Sequence, residues 1–262
     1  MRLRNTYVCL LALGLLVAVA TALIVGCDGS SGPTDPFNDD YEYCFGGVLV
    51  KDYNRNVAYA AARLERNDTL VTGAVFVVGG DTLVASADRY TFAVGPADSL
   101  PAGPVDMVVK DASRLNDTLG FTMPGQLSIT SIAPTEKGPA DLVSVSWTGA
   151  ADAEGYIIAA VKKDSAYMGI GYSQWVTSQA TYIGINDSAF TKTSLQGGEP
   201  DPGIYYIYVY AYHGVPDSTL LATLLPTPVP DQLDDNIAEQ NMSGTKCSIV
   251  TTGFATIEVL AN

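Results

Sequence analysis

The chain has 262 residues, enough for one large domain or two of about 100 residues each. Its residues are 47% hydrophobic and 16% charged, which excludes disorder for the bulk of the chain. The formal net charge of −14 argues against nucleic acid and anionic lipid headgroups as partners, because such a surface repels both.

The first element in the chain is an export signal. Arg2 and Arg4 open a segment without acids, VCLLALGLLVAVATALIV fills residues 8–25, and small residues follow. The apolar run has 18 residues, which just reaches the length of a membrane-spanning helix. Its end, Leu23-Ile24-Val25-Gly26-Cys27, resembles the lipobox of bacterial lipoproteins. That resemblance implies cleavage after residue 26 and a lipid on Cys27. An uncleaved signal anchor is the other reading, and both put everything after Cys27 across the membrane. The location expected is the cell envelope, on the periplasmic face or the cell surface. Removing residues 1–26 takes away Arg2 and Arg4 and no acid, leaving 12 basic against 28 acidic residues.

Residues 27–40, CDGSSGPTDPFNDD, read as a flexible tether with an r.m.s. reach on the order of 20 Å. Beyond it the hydrophobic period is two. Val57 to Leu64 alternates, Ala74–Val78 runs into the hairpin signature Gly79-Gly80-Asp81-Thr82, and Tyr90–Val94 and Val105–Val109 continue the pattern. Short strands at this spacing predict an all-β sandwich or barrel. The triplet Asn-Asp-Thr/Ser recurs at Asn67, Asn116 and Asn186, and reads as turns, since Asn and Asp tolerate left-handed backbone.

A boundary is expected near Met123-Pro124-Gly125. Residues 41–125, with VTGAVFVVGG, DRYTF and LPAGPVDMVV, resemble immunoglobulin-like or prealbumin-like modules of bacterial surface proteins. In residues 126–262, Val143–Trp147, Gly155–Val161 and Pro202–Ala211 resemble strands of a fibronectin type III domain. The resemblance implies two tandem immunoglobulin-like β-sandwiches, Trp147 in the core, and Tyr205 as the tyrosine-corner residue whose hydroxyl ties back to nearby backbone. Past residue 212 the chain is longer than that family requires. Phe254–Leu260 is expected to close the sheet, and 231–242 to be a long acidic loop with a short helical turn.

Candidate sites are few. With Cys9 in the signal and Cys27 acylated, Cys44 and Cys247 remain, as a disulfide or as two free thiols. In GIYYIYVYAYHG, residues 203–214, Tyr205, Ile207, Val209 and Ala211 share the apolar face. Tyr206, Tyr208, Tyr210 and Tyr212 share the other. That second row is either ordinary strand packing, or with Trp175 an exposed aromatic platform for protein or glycan, or a face covered by the first module or the C-terminal extension.

His213 is the sole histidine, and Gly171-Tyr172-Ser173-Gln174-Trp175 lacks the second glycine of a nucleophile elbow, so no catalytic triad is expected. Asp35, Asp39, Asp40, Asp231, Asp234 and Asp235 follow no calcium-loop pattern, and they read as solvated turns. No metal and no cofactor are expected. The function expected is a non-enzymatic, lipid-anchored envelope module for adhesion, scaffolding or binding. A carbohydrate-binding module and a hydrolase with unrecognised carboxylates are the alternatives.

Overall fold

The computed structural model describes residues 41–85, 89–138, 141–177, 180–191, 201–230, 232, 234–239 and 241–261. The signal, Cys27, the tether and Asp231 lie outside the described residues. The protein is all-β. Its first half contributes β1 (Tyr43–Asp52), β2 (Val57–Arg66), β3 (Thr69–Leu70), β4 (Val75–Val78), β5 (Asp81–Thr82), β6 (Val84–Ala85), β7 (Tyr90–Gly95), β8 (Gly103–Asp111) and β9 (Leu115–Met123). The second half contributes β10 (Ile129–Ala133), β11 (Glu136–Lys137), β12 (Val143–Trp147), β13 (Gly155–Lys162), β14 (Tyr172–Thr177) and β15 (Tyr182–Ile185). It then adds β16 (Gly203–Gly214), β17 (Ile237–Glu239), β18 (Met242–Thr251) and β19 (Phe254–Val259).

The local signals behave as their chemistry requires. Gly79 and Gly80 both take positive φ in the β4–β5 hairpin, the geometry a two-residue turn needs to match strand twist. Asn67 and Asp68 are left-handed between β2 and β3, and the Asn186 side chain caps the turn that follows it. Asn116 differs: it lies within β9, opposite Lys110, and not in a turn.

Three sheets build the molecule. A four-stranded sheet, β5-β4-β8-β9, belongs to the first half, and a three-stranded sheet, β10-β12-β15, to the second. Both halves share a twelve-stranded sheet among the described residues. The halves are therefore two sandwiches fused through one common layer. The fusing strand comes from the C-terminal extension. β18 lies parallel to β1, from Tyr43↔Met242 to Asp52↔Thr251, and antiparallel to the end of β16, from Ala211↔Val250 to Gly214↔Cys247. β19 continues along β16, from Tyr208↔Phe254 to Gly203↔Val259, so the expected closing strand closes the sheet. Gly244 makes the parallel pairing fit: a Cβ there would sit 2.0 Å from the Phe45 carbonyl oxygen. Residues 231–242 are not all loop as expected, because Ile237–Glu239 pairs with β18, and the helical turn falls earlier, at Ser218–Leu221.

The sandwich interior holds Phe45, Leu49, Phe76, Met107, Phe121 and, from the second half, Val145, Trp147, Tyr156, Ile207 and Val209 in one cluster. Trp147 packs edge-on against Tyr156 at 5.4 Å, in the core as the resemblance implied. The Tyr205 hydroxyl donates to the Asp201 carbonyl at 3.0 Å, the tie of a tyrosine corner. Strand β1 is buried on both faces over nearly its whole length, which a half-solvated strand would not be. Its second face is covered by residues 215–230.

Candidate functional site

Residues 215–230 run over the outer face of the shared sheet. Asp217 caps the turn by accepting from the Leu220 amide at 3.0 Å, and Leu220, Leu221, Leu224, Leu225 and Val229 face the sheet. Beneath them lie Val48 and Val50 of β1, Ile157 and Ala159 of β13, Tyr208 and Tyr210 of β16, and Cys247 and Ile249 of β18. This second core spans both sandwiches and covers the seam between them.

The tyrosine row is thereby reassigned. Tyr208 and Tyr210 are buried, Tyr206 and Tyr212 are half-buried, and the row is not an open platform. Tyr210 is sealed, with its hydroxyl 2.8 Å from Thr227 Oγ1, and burial pushes its phenol well above the usual range. Burial raises Tyr208 and Tyr205 as well. Trp175 packs edge-on against Tyr212 at 5.0 Å and borders the same cluster. The face was left for core because the extension returns over it, the third of the readings open from sequence.

Cysteine pairing is also corrected. Cys247 is a buried free thiol, so the expected Cys44–Cys247 disulfide is not formed. In the parallel register Cys44 lies beside Ser243, and Cys247 beside Val48. Four residues of strand separate the two, roughly 13 Å, about twice the Cα span a disulfide bridges. Burial also pushes the Cys247 thiol up, so it is poorly suited to act as a nucleophile.

His213 is a structural pin. Its Nδ1 lies 2.8 Å from the Asp152 carbonyl and its Nε2 3.4 Å from Glu154, whose other oxygen accepts from the Gly214 amide at 2.8 Å. Ser173 lies in β14 opposite Ala159, on no sharp turn. Among the described residues no group of three or more His, Cys, Asp or Glu is arranged to hold a metal. Burial and the neighbouring Asp234 raise Asp235.

What the described surface does present is an aromatic and aliphatic tip. Between β13 and β14 the loop Ala166-Tyr167-Met168-Gly169-Ile170-Gly171 exposes Tyr167 (47%), Met168 (65%) and Ile170 (56%). The Tyr167 amide donates to the Pro226 carbonyl at 2.9 Å, which fastens the loop to the covering segment. Gly171 permits the close approach: a Cβ there would lie 2.8 Å from the Ala160 carbonyl oxygen. Tyr167 itself is left-handed at φ 66°, a conformation that costs a bulky residue on the order of 1 kcal/mol or more.

The turn after β1 supplies the rest of the tip. The Arg55 guanidinium lies 5.3 Å from the Tyr59 ring centroid and 5.2 Å from that of Tyr167. Arg55 Nε is 4.0 Å from Asp52, whose carboxylate accepts from the Arg55 amide at 3.1 Å. Burial raises the Asp52 carboxyl, and Arg55 partly opposes that. On the neighbouring strands Phe254 is 38% exposed and packs 4.1 Å from Tyr206 and 5.5 Å from Tyr208. Sequence reading passed over this tip. Its signal was Tyr-Met-Gly-Ile-Gly, large apolar residues set between turn glycines where a polar loop is usual.

No family model matches the chain, and no curated protein matches it. Weak likenesses to solved structures exist. One is the crystal structure of chicken CNTN1 FN1–FN3 domains, at 12% identity and a TM-score of 0.26. It covers 81% of this chain, which spans 63% of that one, less than two thirds of its length. A second is DIP-gamma IG1+IG2, at 7% identity and a TM-score of 0.21, covering 85% of this chain and 100% of that one. A third is a Bacteroides ovatus mixed-linkage glucan utilization locus protein, SGBP-B, in complex with a mixed-linkage heptasaccharide. It shows 13% identity and a TM-score of 0.17, covering 73% of this chain and 53% of that one. Superposition at these scores says nothing of ligand or activity. The class of the protein rests on its own strands: an all-β protein in which a four-stranded and a three-stranded sheet accompany one shared twelve-stranded sheet.

Proposed function

We propose that this chain is a non-enzymatic docking module of the cell envelope, exported by residues 1–26, lipid-anchored at Cys27 and held off the membrane by residues 27–40. The observation that carries the docking part is the exposed tip at Tyr167, Met168 and Ile170 beside Arg55 and Tyr59. Contiguous exposed apolar groups rimmed by polar residues are what interaction sites look like on soluble proteins. The tip also lies at the end of β1 opposite Tyr43. The chain enters at Tyr43, and Arg55 lies in the turn at the far end of β1, a ten-residue strand about 30 Å long.

A module built this way would present its tip outward from the anchoring membrane. Two experiments test the reading. In a bacterial host, Cys27→Ser is expected to move the protein from the detergent phase to the aqueous phase; an unchanged partition would instead support the signal anchor. Met168→Ser with Ile170→Ser is expected to abolish partner binding while leaving the fold intact. Full binding by that variant would rule out the tip as the docking surface.

A further inference from the structure

We propose, deepening the docking reading on which this rests, that Arg55 determines specificity at the tip and that the occupant is a protein segment setting an aliphatic or aromatic side chain beside a carboxylate. The tip is composed of Tyr59, Tyr167, Met168, Ile170 and Arg55, with Phe254 and Tyr206 on the adjoining strands. Tyrosine, methionine, phenylalanine and arginine are the residues enriched at protein interfaces, and arginine and tyrosine dominate their energetics.

Arg55 is prepared for this role before any partner arrives. Both ring contacts restrain a long side chain that would otherwise lose its rotamer freedom when a partner fixes it. Its planar fork matches a carboxylate, and its side chain is 40% exposed. The buried Asp52 forms an ion pair with Nε at 4.0 Å, beyond direct hydrogen-bonding distance, so the guanidinium N–H groups are not spent on that carboxylate. A cation held between two rings at an exposed tip is complementary to an acidic residue of a partner. The left-handed Tyr167 supplies one of the two rings, so the strain stored there serves to place the Arg55 stack.

A glycan occupant fits less well. Sugars need several fixed donors and acceptors, and the exposed side chains of Met168 and Ile170 offer none.

The test is panning of the full-length, detergent-solubilised chain against a random peptide display library. Enriched peptides should share an aliphatic or aromatic residue next to Asp or Glu. Arg55→Ala should weaken the consensus peptide at least about tenfold, a loss of roughly 1.4 kcal/mol. Repeating the selection with Arg55→Glu should replace the acidic position by Lys or Arg. Thermal unfolding of each variant monitors the fold, and Arg55→Lys, which keeps charge but loses the stacked fork, should fall between wild type and alanine. If Arg55→Glu selects the same peptides while Met168→Ser with Ile170→Ser abolishes them, the carboxylate claim is overturned and the docking surface stands. No enrichment, or enrichment indifferent to every tip variant, overturns both. Tip-dependent binding to a glycan array or to phosphatidylcholine vesicles, or tip-dependent dimerisation in sedimentation, assigns a different occupant and overturns the proposal.

Discussion

Strand β16 has two rows of side chains, and the inner row and the middle of the outer one are core, yet they came to be so by different routes. Tyr205, Ile207, Val209 and Ala211 face the opposing sheet of their own sandwich. Tyr208 and Tyr210 face outward from it and are buried only because residues 215–230 return across them. The difference teaches that the exposure of a strand face is not a property of the strand. It depends on whether a distant segment carries enough apolar surface to cover it, and Leu220, Leu221, Leu224 and Leu225 do.

If the outer row is true core, truncating it should cost as much as truncating the inner one. Tyr210→Ala is expected to lose about 3–5 kcal/mol, and Leu221→Ala and Ile207→Ala about 2–5 kcal/mol each, in denaturant unfolding. A cost near zero for Tyr210→Ala and Leu221→Ala alone would show that the covering segment is not docked.

The phenols sharpen the same comparison through pH. Tyr205 and Tyr210, one on each row, are both held above the usual range, chiefly by burial. Above pH 10 the unfolded chain therefore releases these protons first, and stability falls as pH rises; below pH 10 the contribution is fully present. Absorbance titration near 295 nm should show a group of tyrosines that ionises only as the fold is lost. Simple titration of all fifteen near pH 10 would contradict the buried outer row.

Removing only the hydroxyl is a gentler break. Tyr210→Phe leaves Thr227 without its partner and should cost about 1 kcal/mol, whereas Tyr206→Phe, on the half-buried end of the row, should stay within about 0.5 kcal/mol.

Smaller still is Asp52→Asn. With the folded-state carboxyl raised, Asp52 weakens the fold progressively as pH rises past 3.8, so the variant should be slightly more stable at pH 7, and the gap should close towards pH 4. An advantage that grew on acidification would reverse the sign assigned here. At the free tip, Met168→Ser with Ile170→Ser should change stability by no more than about 0.5 kcal/mol, since neither side chain is buried.

Much of the scaffold was legible beforehand. The hairpin glycines, the left-handed Asn67-Asp68 pair and closing strand Phe254–Val259 rest on local period or backbone preference, whereas core Trp147 and the Tyr205 tie were implied by the resemblance to fibronectin type III strands. Three features were not legible. The pairing of β18 with β1 joins residues two hundred positions apart, and nothing local encodes which edge a strand will seek. Cys44 and Cys247 invited pairing by elimination, but the register that separates them exists only once those strands are side by side. Arg55 and Tyr59 flank the start of β2, but Tyr167 lies more than a hundred positions further on, and nothing local encodes that it will meet them.

Side-chain alternation and turn chemistry are decided within a few residues, so the amino-acid sequence by itself determined an all-β protein and where most of its strands lie. Which faces meet water is decided by long-range contacts among surfaces that are all apolar enough to be buried. Only the tertiary structure, by laying residues 215–230 and β18 across the seam, turned two sandwiches into one body and left the Tyr167 tip outside it.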